Sequence, residues 1–178
     1  VEQQPKENTY FRYIFSPSVE EKRYYYLLLD GIDVTQIYLE RNYHKIVNGK
    51  HKFELYWGQT LLSDMQVELE EEEYYTIAIH DNELFLITDE LACPQSGYAI
   101  FQIYSVKKVK TLRLDHDLIF EMLEPEEFTS IQYPLGIYDI IIDESQTLEI
   151  ELQPSMIYTL IIINNPFIIE NEDCQNII

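Results

Sequence analysis

Residues 67–82 read VELEEEEYYTIAIHDN, and residues 148–165 read LEIELQPSMIYTLIIINN. Each stretch closes a strand-like run in Glu-Leu, crosses a polar turn, resumes at Tyr-Thr with an aliphatic run and stops at Asn. A pattern written twice at this length leaves few folds open, because each copy must hide the same alternate side chains from water. A slip of one residue would turn the whole apolar set outward. The rest of the chain follows suit. Tyr10 aligns with Tyr98, residues 27–30 (LLLD) with residues 112–115 (LRLD), and Gly49 with Gly136. Phe53 and Leu55 fall on Ile140 and Ile142, and Gln59-Thr60-Leu61 on Gln146-Thr147-Leu148. The repeat is too long for a solenoid unit and suits a small sandwich of about seven strands.

Alternation at period two runs through both copies. Phe53, Leu55 and Trp57 alternate with Lys52, Glu54 and Tyr56, and Leu148, Ile150 and Leu152 with Glu149, Glu151 and Gln153. This is the pattern of half-buried strands. Turn signals recur at Asp30-Gly31, Asn48-Gly49, Asp143-Glu144-Ser145, Pro154-Ser155 and Asn164-Asn165-Pro166. Helical periodicity is nearly absent; residues 124–129 offer one short turn. The fold expected is all-β: two tandem Ig-like antiparallel β-sandwiches. Residues 1–9 form an N-terminal arm, 10–90 the first sandwich, 91–97 a linker, 98–173 the second sandwich and 174–178 a tail.

Charge narrows the partners. The formal net charge is -20, from 32 acidic and 12 basic residues. Nucleic acid is excluded as a partner class, since phosphate binding needs clustered Lys and Arg. The small basic group Lys107, Lys108, Lys110 and Arg113 does not reverse the field. No apolar run is long enough for a transmembrane helix, so no membrane insertion is expected, and the polar start VEQQPKENT does not read as a signal peptide. With 46% hydrophobic residues, 15 Tyr and 8 Phe, the chain is too apolar for disorder.

Certain elements resemble a tandem β-sandwich domain family of unknown function found in bacterial surface and secreted proteins. Ser16-Pro17 matches its opening Ser-Pro element, and residues 26–31 (YLLLDG) match its D-V-Y-V-D-G-like strand and turn. Gly49 with Phe53 and Leu55, and Gly136 with Tyr138, Ile140 and Ile142, match its Gly-led strand. Residues 74–77 (YYTI) and 158–160 (YTL) match its late Y-Y-T-V-like strand. The chain departs from the pattern where Phe15 precedes Ser16, where Ser105-Val106 stands for Ser-Pro and where Asp115-His116 stands for Asp-Gly. The resemblance implies a sandwich fold and a location at the bacterial cell envelope; the absence of a signal-peptide pattern suggests the spore surface as a variant, with the cytoplasm as the alternative. It implies no reaction.

No motif in the sequence specifies a chemistry. His44, His51, His80 and His116 form no compact ligand motif, and His51 is expected to pack at the rim of the core. Asp30-Gly31-Ile32-Asp33 lacks the further oxygens of a calcium loop and reads as a hairpin turn. Glu70 to Glu73 read as a solvated turn. No nucleophile elbow, phosphate loop or Cys-His pair appears. The expectation is a non-catalytic protein with no cofactor and no metal. Two sets of residues carry the functional candidates. Trp57 with Tyr24 and Tyr26 forms a candidate aromatic platform for sugar rings; Tyr25, between them on an alternating strand, faces the other way. Cys93 and Cys174 each follow the last strand of their copy. Three states are open to them: separate thiols, a bond within the chain, or a bond between chains. The partners expected are proteins, copies of the chain itself among them, with glycan as the alternative. The leading function is accordingly a structural or interaction subunit of a bacterial surface structure, and the runner-up a carbohydrate-binding module.

Overall fold

The computed structural model describes residues 8–89 and 92–170. The chain divides after Asp89 into two units, each built from strands. The first holds β1 (Thr9–Phe15), β2 (Tyr25–Leu29), β3 (Ile32–Asp33), β4 (His44–Ile46), β5 (Gly49–Trp57), β6 (Thr60–Leu69), β7 (Tyr74–His80) and β8 (Glu83–Thr88). The second holds β9 (Tyr98–Ser105), β10 (Val109–Leu114), β11 (Asp117–Leu123), β12 (Glu127–Pro134), β13 (Gly136–Ile142), β14 (Gln146–Leu152), β15 (Ile157–Ile162) and β16 (Phe167–Glu170). In the first unit the sheets run β4-β1-β7-β8 and β3-β2-β5-β6; in the second they run β12-β9-β15-β16 and β11-β10-β13-β14. Strand for strand, the second order repeats the first. No helix among the described residues is long and apolar enough to cross a membrane.

Each sandwich hides one face of each of its sheets. Phe11, Tyr13, Phe15, Tyr75, Ile77 and Ile79 of one sheet meet Leu27, Phe53, Leu55, Val67 and Leu69 of the other. Phe101, Ile103, Tyr158, Leu160 and Ile162 meet Leu112, Leu114, Ile140, Ile142 and Ile150 in the second unit. Strand register makes the correspondence exact at the level of residues: Leu27 pairs with Leu55 as Leu112 pairs with Ile142, and Leu29 with Phe53 as Leu114 with Ile140. The alternation in the sequence becomes this core, and truncating one such buried Leu or Ile to Ala costs about 2–5 kcal/mol.

Two features depart from the plain antiparallel reading. β1 pairs with β7, and β9 with β15, in parallel. Phe11 then sits beside Tyr75 and Phe101 beside Tyr158, so the counterpart of Tyr10 is Ile100 rather than Tyr98. By the same pairing Ser16 corresponds to Val106, because both backbone N–H groups donate to the carbonyl of the last ladder residue, Ile79 and Ile162 respectively. The short α-helix, α1 (Val34–Ile37), lies in the first unit, where the Asp33 side chain caps it by accepting from the Thr35 backbone N–H at 3.0 Å. Residues 124–126 form a turn before β12 rather than a helix.

Candidate functional site

Three loops meet at one end of the first sandwich: the β1–β2 connection, the β5–β6 turn and the β7–β8 turn. Pro17, which has no N–H to donate, ends β1 just past Ser16. The chain then winds through a 3-10 turn (Lys22–Tyr24) into β2. Between β7 and β8 stand Asp81 and Asn82, both with positive φ (48° and 62°), the two-residue hairpin geometry that Asn and Asp tolerate. β5 extends to Trp57, which is paired with Tyr25 across the sheet. The loops enclose an open cleft of about 340 Å³, whose wall includes Ser18, Glu20, Glu21, Tyr25, Trp57 and Asp81. That volume is at the lower end of the range ligand clefts occupy.

The aromatic wall is made differently from the expectation. Trp57, 38% exposed, touches Tyr24 at 5.1 Å between ring centroids with planes at 53°, and Tyr25 at 4.8 Å and 72°. Tyr26 pairs with Tyr56 and alternates with the inward Leu27, so it faces away from this cluster. A strand from Tyr24 onward would turn Tyr24 away from Tyr25; the 3-10 turn (Lys22–Tyr24) breaks that parity, because Tyr24 precedes the first strand residue. The rings make an angled corner rather than a flat platform. The Tyr25 hydroxyl donates to Asn82 Oδ1 at 2.7 Å and ties the corner to the β7–β8 turn.

Beneath the cleft lies a polar chain. Ser16 Oγ is 2.7 Å from His80 Nδ1 and 3.1 Å from Ser18 Oγ, and His80 Nε2 is 3.2 Å from Asp81 Oδ2. Ser–His–Asp is the order of a nucleophile relay. Ser16, however, is 0% exposed, so its oxygen meets no substrate. The chain acts as a clasp that fixes the loop after β1 to the turn after β7.

A second polar cluster belongs to the sheet itself. Arg12 on β1 and Asp89 after β8 are both buried, with Arg12 Nε 3.8 Å from Asp89 Oδ2. Arg12 Nε donates to Thr76 Oγ1 at 2.9 Å, and the hydroxyls of Thr76 and Tyr43 donate to the Asp89 carboxylate. The guanidinium lies 4.6 Å from the centre of the Tyr43 ring. Burial raises the Asp89 pKa, while Arg12 and the two hydroxyls work against that rise. Burial also raises that of Tyr43. Removing one partner of such a pair costs about 3–5 kcal/mol, because the other stays buried and uncompensated. The counterpart in the second unit is lighter: Gln102 meets Thr159 at 3.5 Å.

A larger open cleft of about 460 Å³ is lined by Asp30, Lys50, His51, Lys52, Gln66, Val67 and Glu68. Its His51 and Asp30 side chains are already engaged with each other and with the backbone. His51 Nδ1 is 2.6 Å from Asp30 Oδ2 and its Nε2 is 2.5 Å from the Val47 carbonyl, while Asp30 Oδ1 accepts from the Lys52 backbone N–H. It has no aromatic wall. The cleft at the end of the sandwich therefore offers more to a ligand.

Of the remaining candidates, His116 is exposed on the β10–β11 turn and Glu70, Glu71 and Glu72 are exposed between β6 and β7. Among the described residues no group of His, Cys, Asp and Glu has the arrangement to hold a metal ion. Cys93 is exposed and disulfide-bonded; Cys174 lies outside the described residues.

No family model matches the chain, and no curated protein matches it. Among solved structures, the N-terminal domain of AlgF from P. aeruginosa is similar at 18% identity over 43% of this chain and 96% of that one, with a TM-score of 0.38. A likeness at that score carries no argument here.

Proposed function

We propose that the chain is a non-catalytic binding protein and that the loop end of its first sandwich holds a polyhydroxylated ligand of the glycan class. One observation supports this above the others. The two sandwiches share topology and register, yet the aromatic corner stands on the first alone. Tyr25 corresponds to Lys110, His80 to Ile163 and Ser16 to Val106, while β13 ends at Ile142, the counterpart of Leu55, short of any Trp57 equivalent. The shared topology thus forms in the second copy without this corner, so the corner is not a requirement of the fold. A tilted Trp–Tyr corner beside Asn, Asp, Glu and Ser offers apolar faces for sugar C–H groups and acceptors for sugar hydroxyls. The test is a glycan array followed by titration of any hit. Trp57→Ala should weaken a true hit by about tenfold or more, which corresponds to about 1.4 kcal/mol. An array without hits, or hits indifferent to Trp57→Ala, would contradict the reading.

A second reading is a subunit of a bacterial cell or spore surface that assembles through protein contacts. It is favoured by β6, a ten-residue strand that closes its sheet paired with β5 alone among the described residues, since an unpaired edge accepts a further strand. Sizing at rising concentration, with and without reductant, should then show species larger than one chain. A constant monomer under both conditions would remove it.

A further inference from the structure

We infer that the ligand of this cleft carries positive charge: an amine-bearing saccharide of the deacetylated aminosugar kind. The inference rests on the cleft being the ligand site and names the substrate class. Three carboxylates, Glu20, Glu21 and Asp81, stand in the cleft wall, and among the described residues no Lys or Arg lines it. The cations of the same loop are turned to other work. Lys22 pairs with Glu40 at 3.2 Å and lies over the Phe15 ring, and Arg23 lies over the Tyr24 ring at 4.7 Å. Glu20 and Glu21 have no ion-pair partner among the described residues. The Trp57–Tyr25 corner lines the same cleft.

The two halves of the wall ask for different things of one ligand. Indole and phenol rings attract a cation at their faces and pack against the C–H face of a pyranose. Carboxylates attract the same cation and repel uronic acids, sulfated sugars and phosphates. A neutral sugar would pack on the rings and leave the carboxylates unused; a simple polycation would engage the carboxylates and the ring faces but bring no pyranose C–H face to pack there. A protonated aminosugar satisfies both. The chain's net charge of -20 adds a long-range attraction for cations that does not depend on this cleft, so the test must separate local from general binding.

Trp57 is the sole tryptophan of the chain, so its emission reports on this cleft alone. The full chain is titrated at mildly acidic pH with glucosamine tetramer, N-acetylglucosamine tetramer and tetralysine. The glucosamine tetramer should change Trp57 emission and bind about tenfold tighter than the acetylated tetramer. The preference should shrink in a Glu20→Gln/Glu21→Gln variant, whose changes are confined to exposed positions. Tetralysine should bind without the same emission change. Equal or tighter binding of the acetylated tetramer would overturn the inference and leave the glycan reading standing. Tetralysine matching the glucosamine tetramer in affinity and emission would overturn the saccharide class. An unchanged preference in the double variant would overturn the role of the carboxylates. Silence of Trp57 with all three probes would overturn the inference and count against the cleft itself.

Discussion

Asp30 shows how much one side chain can do at a turn. Its backbone is left-handed (φ 50°), its N–H donates to the Lys52 carbonyl, and its carboxylate takes the Lys52 N–H and the His51 ring. Asp115 repeats the backbone part, donating to the Asp139 carbonyl and accepting the Asp139 N–H. Partial burial works against the Asp30 charge, but the hydrogen bonds from His51 and Lys52 prevail and hold its pKa below the ordinary 3.8. A carboxyl depressed in the folded state stabilises the fold above its unfolded pKa, and that stabilisation is lost as pH falls through the folded value. Asp30→Asn should therefore be less stable than the parent just above pH 3.8, with the gap closing on further acidification. Urea unfolding across an acid series measures it, and a gap that widened on acidification would contradict the assignment.

At the scale of elements, each copy uses a tyrosine at the same point of its own fold. At the start of β7 the Tyr75 hydroxyl accepts from the Glu70 backbone N–H at 3.0 Å, and at the start of β15 the Tyr158 hydroxyl accepts from the Gln153 N–H at 3.0 Å. Each pins the preceding turn to the strand that follows it, as a tyrosine corner does in Ig-like sandwiches. Burial raises the pKa of both hydroxyls, so both stay protonated at neutral pH. Tyr75→Phe and Tyr158→Phe should each cost about 1 kcal/mol, read by chemical denaturation; a cost in one copy and none in the other would break the equivalence. The pair was legible in the sequence as the repeated Tyr-Thr, and the core was legible as alternation. What alternation could not carry was any contact set by the parallel pairing of β1 with β7. Ser16 and His80 stand 64 residues apart, so no local spacing announces their contact. Tyr24 was placed on the wrong side of its neighbours because three residues of 3-10 turn look, in sequence, like the start of a strand.

At the scale of the whole chain, duplication separates what the fold requires from what one copy has added. The shared part is the order of eight strands, the Gly49 and Gly136 entries to β5 and β13, the Asp turns and the tyrosine corners. The added part, in the first unit, is the Trp57–Tyr25 corner, the Ser16–His80–Asp81 clasp and the buried Arg12–Asp89 pair. The repeat made the shared part readable, since each copy checks the other. The added part had no second copy to check it, and only Trp57 and Tyr24 were singled out from composition. The proposed ligand meets the chain at the loop end of the first sandwich. Backbone amide shifts of the isotope-labelled chain, followed while the saccharide that binds tightest is added, test it most directly. Binding at that end should gather the shifts on residues 16–25, 57–60 and 80–83. Shifts gathered instead on β10 to β14, or on the cleft around His51, would contradict it.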